Sequence, residues 1–70
     1  MAIEVFTEQF EFEHGHLPRG RGNWGFHFCR GGAMTREAEF APGEMTFSEA
    51  RRWAISQARA TGCDAVSVAS

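Results

Sequence analysis

Seventy residues with a formal charge of −2 are expected to form a single domain, 1–70, near the lower size limit for a core built without disulfides or metal. So short a chain cannot wall a deep substrate cleft on several sides, which weighs against an enzyme, and two cysteines are too few for a disulfide framework. No apolar run is long enough to span a bilayer and no secretory leader opens the chain, so the expected setting is a reducing cytoplasm with no membrane partner.

The first predicted element is a strand over residues 3–13, IEVFTEQFEFE, with Phe6, Phe10 and Phe12 sharing one face by period-two spacing. Ile3 and Val5 fall on the opposite phase, which calls for a bulge near Val5 and Phe6. Residues 14–24 follow as a long, glycine-loosened loop. A second strand covers residues 24–30, with Trp24, Phe26 and Phe28 pointing one way and His27 and Cys29 the other. Gly31 and Gly32 mark a turn, and residues 34–40 alternate as a third strand that Pro42 and Gly43 end.

The helix carries the firmest signal. Thr46 and Glu49 have capping-box spacing, so Thr46 is expected as N-cap and the helix as Phe47–Thr61, with Gly62 as its left-handed C-terminal residue. Phe47, Ala50, Ala54 and Ala58 form one stripe, small enough to let the helix sit close to a sheet. Residues 64–69 read as a last short strand with Val66 and Val68 inward.

The expected fold is therefore α+β with the order β-β-β-α-β: a four-stranded mixed sheet with one helix packed on one face. A right-handed crossover would return the last strand parallel to the first and beside it. The other face has no helix over it, and His27 and Cys29 are expected there.

Charge runs in blocks. Residues 1–14 hold Glu4, Glu8, Glu11 and Glu13 without an arginine, whereas residues 15–36 hold four arginines and no acid. Glu37, Glu39, Glu44 and Glu49 follow. All seven basic residues are arginine, a usage that a GC-rich genome explains as readily as any function. Glu4, Glu8, Glu11 and Glu13 on one strand, with Glu37 and Glu39 on a neighbour, would make a negative ribbon that repels DNA and attracts the cationic grooves that bind it. Arg19 and Arg21 beside Trp24 form the opposite candidate, a phosphate contact with a stacking ring; their bland reading is pairing with glutamates over a core tryptophan.

Other patterns carry less. Gly20, Gly22 and Gly25 satisfy G-x-G-x-x-G, but a strand follows where a dinucleotide site needs a helix, so no nucleotide cofactor is expected. His14, His16, His27 and Cys29 have ligand-like spacings, yet a hairpin of the first two strands keeps the pairs apart, and no metal is expected. No nucleophile, base and orienting group share a local motif, so no catalytic residue is assigned and the chain is expected not to be an enzyme.

Two resemblances bear on function. Over residues 24–53, with T-F-S-E-A-R-R-W at residues 46–53, the chain resembles the three-stranded, one-helix DNA-binding modules of phage-type tyrosine integrases. That resemblance implies DNA reading through the uncovered sheet face; the negative charge, the acidic first strand and the strand after the helix depart from it. In size, acidic balance and freestanding α+β design the whole chain resembles small proteins of phages and mobile elements, the anti-CRISPR inhibitors among them. This implies a small phage-type inhibitor in the cytoplasm of a host bacterium, monomeric or a small homo-oligomer. It would bind the nucleic-acid-recognition surface of a defence complex such as a CRISPR effector, with carboxylates standing in for phosphates. The alternative is a nucleic-acid-binding module that uses the arginine loop and the uncovered face.

Overall fold

The structure, a computed structural model, describes residues 2–69. It is a mixed α+β fold. The elements run β1 (Glu4–Phe6), α1 (Glu8–His14), β2 (Arg21–Gly22), β3 (Gly25–Arg30), β4 (Ala33–Met34), β5 (Glu39–Phe40), β6 (Met45–Thr46), α2 (Phe47–Thr61) and β7 (Ala65–Val68). The main sheet has the order β1-β7-β3-β4, with β5 also on β3, and β2 pairs with β6 as a separate two-stranded ribbon. β7 runs parallel to β1 and antiparallel to β3, so it separates the two elements expected to form the first hairpin.

Residues 3–13 do not form one strand. The extended chain stops at Phe6, and residues 8–14 coil into α1, a second helix that the expected β-β-β-α-β order lacks. The physical reason lies in the i, i+4 spacing. The Thr7 hydroxyl donates to Glu11 Oε2 at 2.6 Å, Gln9 Nε2 donates to Glu13 Oε2 at 3.2 Å, and the rings of Phe10 and His14 stack with centroids 4.2 Å apart. Such pairs stabilise a helix by about 0.2–0.5 kcal/mol each. Gly15 then closes α1 in the left-handed region at φ 75°, its N–H on the Glu11 carbonyl. Phe10 is buried and Phe12 is 88% exposed, so the two rings expected on one strand face point to opposite environments.

The expected third strand over residues 34–40 is broken into β4 and β5. From Met34, opposite Cys29, to Glu39, opposite Phe26, this chain takes five steps where β3 takes three. Two residues are therefore extruded, as in an enlarged bulge. Thr35 holds the break, accepting the Phe28 N–H on its hydroxyl at 3.1 Å and donating its own N–H to the Phe28 carbonyl at 3.0 Å.

α2 covers one sheet face over its expected span. Thr46 caps it with both arms of the capping box, and Gly62 ends it at φ 77°. Ala50, Ala54 and Ala58 have no exposed surface and bring the helix axis close to Phe26, Val66 and Val68, also fully buried. Trp24, Phe28 and Phe10 extend this core, with Phe47 and Trp53 packed at its margin. Trp24 meets Phe47 edge-on at 5.0 Å.

Candidate binding face

Residues paired directly across strands project from the same side of a sheet. Phe26, Phe28, Val66 and Val68 face α2, so their neighbours in sequence face away from it. One row across that helix-free face is Glu4, Ala65, Cys29 and Met34, and the next is Phe6, Ser67 and His27. A third position pairs Gly25 with Phe40. A Cβ at residue 25 would lie 2.8 Å from Phe40 Cε2, so only glycine admits the ring where it lies across the strand.

The first row, with Phe6 and Ser67 of the second, floors an open depression of about 810 Å³. Its apolar ground is Phe6, Met34, Ala65 and Cys29, and Glu4, Glu8 and Asp64 supply its charge. Among the described residues no arginine or histidine lines it. Phe6, Met34 and Phe40 are 37%, 54% and 57% exposed, so much of the large apolar surface left to solvent gathers on this one face. An apolar floor with an acidic rim fits a partner that offers both aliphatic and cationic groups.

The expected ribbon of acids is thereby redistributed. Glu4 and Glu8 border the depression, from β1 and the first turn of α1. Glu11 and Glu13 ride on α1 and are engaged by Thr7 and Gln9. Glu37 and Glu39 do not flank them, because β7 and β3 stand between β1 and β5. Asp64 is the acid that sequence reasoning passed over. It ends the turn after α2 and accepts the Gly31 N–H at 3.3 Å, which ties it to the turn beyond β3. Its only sequence signal was its place just before the last strand.

Arg19 and Arg21 lie on the opposite flank. The Gly20 carbonyl between them accepts both the Trp24 indole N–H at 3.2 Å and the Phe47 N–H at 3.0 Å, which pins the loop to the start of α2. Arg21 pairs in β2 with Thr46 and stands 3.9 Å from Glu44, a loose contact between exposed side chains that contributes little. Together with Asn23, Phe10 and Trp24, the two arginines edge a shallow depression of about 250 Å³. Trp24 is only 6% exposed, so its ring is a core side chain and not the stacking platform the alternative reading requires.

The four potential metal ligands are divided. His14 and His16 flank Phe10, with ring centroids 6.2 Å apart, whereas His27 and Cys29 belong to the helix-free face. Among the described residues no three of His, Cys, Asp and Glu gather as a ligand set. His27 turns Nδ1 to the Thr35 carbonyl at 3.0 Å. Both cysteines are free thiols. Burial pushes the Cys29 thiol up, and the charges of Asp64 and Cys63 push it further, so it stays protonated in the floor. No described helix is long and apolar enough to cross a membrane. Comparison with protein families, with curated proteins and with solved structures finds no match to this chain.

Proposed function

We propose that this chain is a non-enzymatic binding protein whose helix-free sheet face docks on a cationic surface of a protein partner. In its most specific form it is the inhibitor implied by the whole-chain resemblance: a small phage-type protein that occupies the nucleic-acid-recognition surface of a bacterial defence complex, of the anti-CRISPR kind. The observation that carries the reading is the depression bounded by Glu4, Glu8 and Asp64, with no arginine or histidine along its lining among the described residues. Surfaces that read nucleic acid are rich in arginine and lysine, and a carboxylate can take the place of a phosphate on either. The exposed apolar side chains of Phe6 and Met34 add the desolvated contact that charge alone does not supply.

The test is a pull-down from bacterial lysate with identification of both protein and nucleic acid, followed by affinity measurement on the protein recovered. The double variant Glu4→Arg/Glu8→Arg is expected to weaken that complex by about tenfold or more, equivalent to ~1.4 kcal/mol or more, whereas Glu44→Arg leaves it within about twofold, a few tenths of a kcal/mol. Added salt weakens the complex, since exposed charges are screened over about 8–10 Å near physiological ionic strength. Parent protein that binds bare DNA at physiological salt, and loses it in Arg19→Ala/Arg21→Ala, would make the nucleic-acid module the correct reading.

A further inference from the structure

We propose that the partner segment enters as an extended, lysine- or arginine-bearing strand that adds to the free edge of β1. This rests on the acidic depression being the docking face and names how it is occupied. β1 is the last strand of the sheet on that side. The Glu4 N–H donates to the Asp64 carbonyl at 3.2 Å, and the parallel register continues with Val5 beside Val66 and Phe6 beside Ser67. In such a ladder alternate residues turn their backbone groups to the same neighbour. Glu4 and Phe6 therefore spend theirs on β7, and the N–H and C=O of Val5 point away from the sheet. Among the described residues no loop or cap bonds them.

Natural edges are commonly guarded by lysine, proline, charge or shortness; β1 has no lysine or proline, and its guards are its three-residue length and Glu4. Its one charged residue, Glu4, lines the depression. α1 begins two residues after β1 and stops a visiting strand at that end. A strand laid along the edge projects alternate side chains over the depression. The position beside Glu4 takes a cation, with Glu8 and Asp64 in the same rim, and the position beside Phe6 takes an apolar group. A second copy of this chain brings the same acids to the edge, so like charge selects against self-pairing.

The probe is a synthetic peptide of about six residues, an ordinary strand length, alternating lysine with valine. Two forms of it carry N-methyl groups on one or the other alternate set of amides. The expected result is binding that slows hydrogen exchange at the Val5 amide and falls by about tenfold or more when one alternate set is methylated, with little change for the other. A peptide with glutamate in place of lysine should not bind. Val5→Pro, which deletes the outward N–H, should lose the peptide while Val5→Ile keeps it. Lysine-peptide binding that depends on Glu4 and Glu8 but ignores methylation and leaves Val5 exchange unchanged overturns strand addition and leaves the docking face standing. No binding of the peptide, together with indifference of the partner complex to Glu4→Arg/Glu8→Arg, overturns both. Concentration-dependent dimers that protect Val5 without peptide assign the edge to a second copy.

Discussion

At Thr46 the backbone is still extended, at φ −69° and ψ 159°, and one residue later the helix has begun. Two bonds hold that junction: the Glu49 N–H donates to the Thr46 hydroxyl at 3.2 Å, and the Thr46 N–H donates to Glu49 Oε1 at 2.9 Å. The second bond keeps the Glu49 carboxyl below the usual carboxylate range, helped by the Thr46 hydroxyl and by the charges of Arg21 and Arg52. Because the folded value is the depressed one, this contribution is complete above the unfolded carboxylate value and is lost as pH falls through the folded value. Glu49→Gln retains a capping acceptor without the charge. Its unfolding free energy is therefore expected to fall less than the parent's as pH drops through the carboxylate range, measured by urea titration at a series of pH values. Parallel curves for the two proteins would show that the capping carboxylate is not specifically stabilised. At neutral pH, Thr46→Ala is expected to cost about 0.5–2 kcal/mol, the usual loss for an N-cap hydroxyl.

Among the elements, α1 separates two readings of one run of residues. As a strand, residues 3–13 would set Phe10 and Phe12 side by side in the core; as a helix they part, and Phe12 stands in solvent. Phe12→Ser is therefore expected to change stability by no more than about 0.5 kcal/mol. Gly15→Ala, at φ 75° with open space around the added methyl, should cost about 1–2 kcal/mol because only backbone strain opposes it. Thermal melts of the two variants check both, and a large loss for Phe12→Ser would restore the strand. The same contrast explains what could be read from the chain. α2 was legible to its ends because a capping box, an alanine stripe and a terminal glycine agree over four turns. α1 was not, since seven residues hold barely two turns of period, and phenylalanines at 10 and 12 imitate a strand by accident. The register break after Met34 was equally hidden: it depends on Thr35 bonding across to Phe28, a tertiary event with no local signature. At the depression, Glu4 and Glu8 had already stood out by charge. Asp64 was missed because a turn aspartate looks alike whether or not a depression lies beside it.

On the scale of the molecule, the strand made last is the one placed centrally. β7 lies between β1 and β3, all four of its residues are buried, and its partners come from the first thirty residues of the chain. Its outer pair, Ala65 and Ser67, floors the proposed docking face, while Val66 and Val68 hold α2 on the other side. Both the proposed docking face and the core thus wait on the same four residues. Such long-range closure makes a single cooperative unit the expected behaviour. Val66→Ala should then lower global stability by about 1.5–3 kcal/mol, the transfer free energy of a fully buried valine with some cavity cost. The loss should appear equally in tryptophan fluorescence, from Trp24 and Trp53, and in far-ultraviolet circular dichroism. The two tryptophans report on different regions: Trp24 packs against α1 and the start of α2, and Trp53 packs against Phe26 and Phe28 over the sheet. Non-coincident transitions in the variant would mean that α1 and its aromatic cluster melt apart from the sheet. In that case the docking face would lose its Glu8 side while the β7 floor stayed intact. Coincident transitions bind rim and floor into one folding unit, so any change that loosens the core must also loosen the acidic face.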